Sequence, residues 1–294
     1  MTHDITHESA LGAQRLMLLP SVRVIAAKPL KSADLVLVVA GNARCLVEGQ
    51  AVRLSAGDVF LVSPESPVSG LDDPNLNLIR VRFDAQHALK FTSGLGEIPG
   101  CRAFFEFEPR LRTRHGLDAR LRLMPDVLPR IVEMLSRLER ELEDKEPGFE
   151  ALSESLFAAL VVDLARLYAK QASPLCESLV RISPVLAWLD EHFEGPVALE
   201  DIVAVSEMSQ STMQRCFRRC FGMSPFSYLL HLRMTKAQVL LRDTEAKVKE
   251  IAPSVGILDA NYFARRFRQH AGVEPTEYRA RFRRSLAPSL AGSL

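Results

Sequence analysis

The sequence predicts an α+β chain in two parts: a β-rich N-terminal half with a helical hairpin, then an all-α C-terminal half. Three observations carry that prediction. Between about residues 20 and 90, runs rich in Val, Leu and Ile are punctuated by glycine turns. Between about 125 and 170, two stretches repeat leucine at steps of three and four. From Arg181 onward the segments are short and helical, and one of them recurs at a constant offset of 50 residues. A length of 294 residues suits two domains.

The β-zone consists of DLVLVVAG (34–41), ARCLVEG (43–49), AVRLSAGDVFLVSP (51–64) and LNLIRVRF (76–83). Gly41-Asn42, Gly49-Gln50 and Gly57-Asp58 read as turns, so antiparallel hairpins in a sandwich or small barrel are expected. In the helical zone, Leu128, Ile131, Leu135, Leu138 and Leu142 have the spacing of a coiled-coil seam. Pro147-Gly148 breaks the chain, and Leu152, Leu156, Leu160, Leu164 and Leu167 form a second stripe, which together predict an antiparallel helical hairpin. Such stripes either cover the sheet or form a subunit interface. Both hold if the second helix covers the sheet and the first faces a partner, so the 128–142 stripe is expected between the subunits of a homodimer. The boundaries that follow are an N-terminal domain at 1–172, a linker at 173–180 marked by the stretch AKQASPLCES (169–178), a helical domain at 181–284 and a flexible tail at 285–294.

Composition excludes several classes. Lys plus Arg is 37 and Asp plus Glu is 36, a formal net charge of +1, so global charge nominates no partner. The excess is acidic before Pro174 and basic after it, the sign expected if the C-terminal part meets a polyanion. Five scattered cysteines without a C-x-x-C pair argue against a disulfide framework or zinc module and fit a reducing cytosol. The start, MTHDITHESALGAQRLMLLP, lacks a basic leader, and no apolar run approaches the ~18 residues of a membrane span. A cytoplasmic protein with no membrane partner is expected.

The repeat is the strongest signal. SQSTMQRCFRRCFGMSPFSY (209–228) matches DANYFARRFRQHAGVEPTEY (259–278), with identities at Arg215/Arg265, Phe217/Phe267, Arg218/Arg268, Gly222/Gly272, Pro225/Pro275 and Tyr228/Tyr278. In each copy Ser209 or Asp259 suits an N-cap, and Gly222 or Gly272 suits a left-handed helix end. Met213, Phe217 and Cys220 share an inward face on the first helix, and Phe263 and Phe267 on the second. Ser211, Gln214, Arg215 and Arg218 lie on the opposite face of the first, and Asn261, Ala264, Arg265 and Arg268 on that of the second. A shorter helix precedes each, ALEDIVAVS (198–206) and VKEIAPSVG (248–256), after which a tight turn completes a helix-turn-helix. The units span 199–220 and 248–270, joined by one helix from about 225 to 241. Seventeen residues at ~1.5 Å give ~25 Å, enough to hold two helices near the ~34 Å spacing of successive major grooves. Arg bridges guanine O6 and N7, Gln or Asn does the same for adenine, and neighbouring Arg meets phosphates, so double-stranded DNA is the partner these faces imply.

On these stretches the C-terminal hundred residues, roughly 181–283, resemble the AraC/XylS family of bacterial transcription activators. The resemblance implies base contacts from Ser211, Gln214 and Arg215 in the first unit and from Ala260, Asn261 and Arg265 in the second. The segment AGDVFLVSP and the β-zone around it resemble the family's cupin-like effector and dimerisation domain, and FFEFEPRLRTRHGLDARLRLMPDVL resembles regulators of the rhamnose-operon type. What this implies is an activator at promoter DNA that contacts RNA polymerase and responds to a small-molecule effector such as a sugar or related metabolite. Control by a partner protein, or a cupin enzyme fused to a DNA-binding module, are the alternatives. Two departures stand out: Ile257 where the family usually has Phe, and Pro253 inside a short helix, where it is expected to kink the second unit and loosen its docking.

Other signals carry less. Val68 stands near where a metal-binding cupin often has His, and His87 is the only histidine nearby, so neither a metal, a cofactor nor a catalytic residue is called for. His192, His231 and His270 lie at no ligand spacing, and Cys216 and Cys220 read as small core residues. The basic run Arg110, Arg112, Arg114, Arg120 and Arg122 reads as a solvated surface beside Glu106, Glu108 and Asp118.

Overall fold

A computed structural model describes residues 14–18, 32–63, 66–84 and 98–286. It divides into two bodies, Met1–Ser183 and Pro184–Leu294, each taken by itself below.

The N-terminal body is built on β1 (Gln14–Leu18), β2 (Ser32–Val47), β3 (Gln50–Ser55), β4 (Asp58–Val62), β5 (Val68–Ser69), β6 (Leu76–Asp84) and β7 (Leu121–Arg122). The order β1-β6-β2-β4-β7 forms one curled sheet, from which β3 and β5 branch by pairing with the far half of β2. β2 is therefore the spine, shared between two layers. The expected turn at Gly41-Asn42 is not there. β2 runs through it with a bulge between Val38 and Ala40. Gly41 sits at φ +88°, and a Cβ there would lie 1.8 Å from the Asn75 carbonyl oxygen, so only glycine lets the strand bend over its neighbour. β1 lies outside the expected β-zone and pairs parallel with β6, a departure from an all-hairpin sheet.

Strand alternation gives the sheet two faces. Val36, Val38, Phe60 and Leu78 belong to an apolar interior with Cys45, Leu54 and Leu117. Leu35, Leu37, Val59, Ile79 and Val81 point the other way, onto Ile131 and Leu135 of α3 (Leu128–Asp144) and Leu160 and Leu164 of α4 (Phe149–Lys170). Two short helices come before them, α1 (Pro99–Arg102) and α2 (Arg112–His115), joined by π and 3-10 turns. The helical hairpin is as expected, but the role of its first stripe is not. Ile131, Leu135 and Leu138 are at most 2% exposed within the single chain. The middle of that stripe is buried within the chain itself, Ile131 and Leu135 against its own sheet, where each such side chain contributes about 1.5–3 kcal/mol, while Leu128 and Leu142 at its ends are half-buried.

The basic run also departs from expectation. Arg112 and Glu108 are 1% and 0% exposed. The Arg112 guanidinium donates to Glu108 Oε2 at 2.7 Å and to Ser66 Oγ at 3.0 Å. Arg120 pairs with Asp58 at 2.7 Å, both nearly fully buried, and also donates to the Leu117 and Arg53 carbonyls. A run read as solvated surface thus places two of its five arginines inside, where local acceptors are joined by Ser66, Asp58 and the Arg53 carbonyl from far away in sequence. Burial pushes the Glu108 carboxyl up, against the pull of Arg112.

The segment 173–180, read as a linker, is helical from Pro174 as part of α5 (Pro174–His192), and the division between the bodies falls inside that helix. Pro184 lacks the amide that would bond the Val180 carbonyl, and the Ser183 hydroxyl donates to that oxygen at 2.8 Å instead.

The C-terminal body continues with α6 (Leu199–Ser206), α7 (Gln210–Phe221), α8 (Pro225–Asp243), α9 (Val248–Ser254), α10 (Ala260–Ala271) and α11 (Pro275–Leu286). The tail at 287–294 lies outside the described residues. α8 extends the expected connector by two residues, to a length of roughly 28 Å.

Candidate nucleic-acid interface

Two short helices, α7 and α10, carry the candidate residues, and each is fixed at both ends by its own chemistry. Ser209 Oγ accepts from the Thr212 amide at 3.3 Å, and Asp259 Oδ1 accepts from the Asn261 and Tyr262 amides at 2.8 and 3.0 Å. At the other end Gly222 and Gly272 adopt φ +71° and +77°, and each returns its amide to an arginine carbonyl, of Arg218 and Arg268, at 2.9 Å.

The inward faces explain the repeated aromatics. Phe217 meets Tyr228 edge-on at 5.8 Å, and Phe267 meets Tyr278 edge-on at 5.4 Å. One contact, made twice, ties each candidate helix to the helix that follows it. Met213, Phe217, Cys216 and Cys220 are buried under α7, and Phe263 and Phe267 under α10.

Pro253 does not loosen the second unit. It falls in the last turn of α9 and is exposed. The helix closes directly after it: Ile257 donates to the Ala252 carbonyl at 3.0 Å and Gly256 to that of Pro253 at 2.9 Å, the paired bonds of a Schellman end. Ile257 is 5% exposed and joins Ala252, Phe263 and Phe267 in one core. Gly256 also lets Arg233 of α8 pass, and Arg233 donates to the Phe193 and Gly195 carbonyls at 2.8 and 2.7 Å. No motif in the sequence signalled this clamp.

On the outer faces, Ser211, Arg215 and Arg218 of α7 are exposed and Gln214 is half-buried. On α10, Ala260, Asn261, Arg265 and Arg268 are exposed and Ala264 is half-buried. Among the described residues, Arg215 and Arg218 have no acidic partner. Arg265 lies over the Tyr262 ring at 5.5 Å, and Arg268 reaches Glu274 at 3.4 Å on the surface. Each helix thus offers hydrogen-bond donors and positive charge on one side and an apolar face on the other. One exposed residue beside the second helix had no signal in the sequence: Leu258, just before the Asp259 cap, is 90% exposed.

His231 of α8 and His270 of α10 meet edge-on at 4.7 Å. Burial holds both below the ordinary histidine value, and His231 lowers His270 further. Among the described residues there is no group of three or more His, Cys, Asp or Glu placed to hold a metal, and no helix is long and apolar enough to cross a membrane.

Comparison with known proteins agrees with this geometry. Residues 202–281 match a family described as a helix-turn-helix domain, and residues 27–161 match the AraC-like ligand binding domain. The chain is 29% identical over 250 residues, 84% of each chain, to the HTH-type transcriptional activator RhaS of Enterobacter sp. (strain 638). It is 27% identical over 246 residues, again 84% of each, to the protein of that name in Escherichia coli O1:K1 / APEC. A solved AraC-type transcriptional regulator from Chromobacterium violaceum is 25% identical and covers 36% of this chain and 95% of its own, with a TM-score of 0.35. These families and relatives are transcription regulators rather than enzymes, so a cupin enzyme fused to a DNA-binding module falls away. The chain thus carries an AraC-like ligand-binding domain in front of an AraC-type helix-turn-helix, the two modules of an AraC-family DNA-binding transcriptional activator.

Proposed function

We propose that this activator reads promoter DNA with α7 and α10, through base contacts from Ser211, Gln214 and Arg215 in the first unit and Ala260, Asn261 and Arg265 in the second. Arg218 and Arg268 stand beside them as phosphate contacts. The observation that carries this reading is the double construction: two capped helices, each with its polar side turned to solvent, each anchored by the same Phe–Tyr contact to the helix that follows it, and joined by one 19-residue helix. A connector of that length suits two successive major grooves on one face of a duplex.

The finer reading follows from what such a protein needs. A small molecule, such as a sugar or related metabolite, binds the N-terminal domain and changes DNA affinity or contact with RNA polymerase. The protein acts in the cytoplasm as a homodimer, which places two copies on paired half-sites and raises the effective concentration of the second. The relatives named for activation support the sign of regulation, and the match to a ligand-binding domain supports an effector.

The test is selection of binding sites from randomised duplexes with the full chain, followed by a reporter driven by the selected site, with and without candidate metabolites. The reading expects one enriched half-site present twice, each copy with two elements about one helical turn apart, and a reporter that responds to one metabolite class. Enrichment of no sequence contradicts it.

A further inference from the structure

The two candidate helices differ in their chemistry, and the difference has a partner in DNA. This inference rests on the reading of α7 and α10 as base-reading helices. Along the 50-residue repeat, Ala260 stands where α7 has Gln210, and Ala264 where it has Gln214, while Arg265 keeps the place of Arg215. Two side chains able to hydrogen-bond a base edge have been replaced by methyl groups.

Leu258 adds to this. An apolar residue just before an N-cap ordinarily packs onto the fourth residue of the helix. Here that residue is Phe263, which is fully buried, whereas Leu258 is 90% exposed and makes no such staple. Its counterpart in the repeat, Met208, is half-buried. Leu258 therefore contributes nothing to the core and stands in water beside the first turn of α10. Ala264, with Arg265 and Arg268, borders an open depression on the same helix, so its methyl is reachable from outside.

The major groove presents one apolar group on its base edges, the 5-methyl of thymine. We infer that the second unit recognises thymine by methyl contact, with Leu258 and Ala264 as specificity-determining residues, and that the first unit reads its bases by hydrogen bonding. Asn261 and Arg265 keep polar contacts in the second unit, which fix its register on the groove.

The experiment uses the full chain and its selected duplex. Within each half-site, the element of the second unit is assigned as the one where Arg265→Ala relaxes base preference. Thymines in each element are then replaced by deoxyuridine, which removes the methyl and leaves every hydrogen-bonding group in place. Binding should weaken about fourfold per methyl in the element of the second unit, the value of one buried carbon, and stay unchanged for the element of the first. Leu258→Ser, a change at an exposed position, and Ala264→Gln should abolish that penalty, and Ala264→Gln should shift the preference toward adenine. Unchanged thermal unfolding of both variants confirms that their fold is intact. Deoxyuridine binding as tight as thymine, or a penalty that persists in both variants, overturns the inference while leaving the two reading helices standing. If the full chain selects no sequence at all, the reading helices fall and the inference with them.

Discussion

Arginine has opposite fates in the two bodies. In the N-terminal sheet Arg112 and Arg120 are buried, each against a buried carboxylate, and both fill remaining donors with carbonyl or hydroxyl oxygens. On α7 and α10 Arg215, Arg218, Arg265 and Arg268 stand in solvent on one side of their helices. The first pair is held by partners of which several, Ser66 for Arg112 and Asp58 and Arg53 for Arg120, are distant in sequence. The second group is displayed by well-formed helices whose other side is apolar, with Arg268 reaching Glu274 only at the surface. Charge alone therefore says little about role. An arginine whose donors are all taken inside the fold supports structure, and one displayed on a rigid helix with its donors free is available to a ligand.

The largest effect should come from breaking the buried group. Glu108→Ala leaves Arg112 charged and unpaired in an apolar interior and should destabilise the N-terminal body by about 3–5 kcal/mol, read as an earlier transition in urea unfolding. Replacing both partners, as Glu108→Leu with Arg112→Met, should recover most of that loss. A double variant as unstable as the single would mean that Arg112 matters for its bond to Ser66 and not for its charge pair.

Next come the displayed arginines. Arg215→Ala should leave stability unchanged and cost roughly 1–3 kcal/mol at the selected site, relaxing preference at one base position. Arg218→Ala should weaken binding to every sequence alike and lower the slope of log affinity against log salt by about one unit. If the two variants behave the same, the division of α7 into reading and phosphate-facing residues is wrong.

The smallest effect concerns the His231–His270 pair. Both titrate below the ordinary value of 6.5 in the folded chain, so the unfolded chain takes up protons first as pH falls. The stability that the neutral pair supports is present above about pH 6.5 and is lost as pH falls through the folded values. The thermal midpoint of the C-terminal body should thus drop between pH 7.5 and 5.5, and less so in His270→Phe. An equal drop in that variant would place the sensitivity elsewhere.

The same comparison explains what the sequence made legible. Helical units were readable because their information is local. Cap, apolar stripe and terminal glycine lie within a dozen residues, and the repeat stated each twice, so α7, α8 and α10 fall where the pattern put them. The sheet's information is not local. Nothing near Gly41 says whether it ends a strand or bends one, since the answer is the Asn75 carbonyl above it. Arg112 looked like surface because its serine partner is 46 residues away. The 128–142 stripe had the correct period, but periodicity names a buried face without naming what buries it. Pro253 was judged by its position in a helix, and the Schellman end that accommodates it became visible only with Gly256 and Ile257 in place.

The central claim is that the exposed sides of α7 and α10 read sequence. Its most direct test compares affinity for the selected duplex with affinity for a scrambled duplex of equal length and salt, for the full chain and for Arg215→Ala/Arg265→Ala. The account predicts a wild-type preference of about a thousandfold or more that collapses to within about tenfold in the double variant, with residual salt-dependent binding retained. A double variant that is folded and keeps the full preference would contradict it.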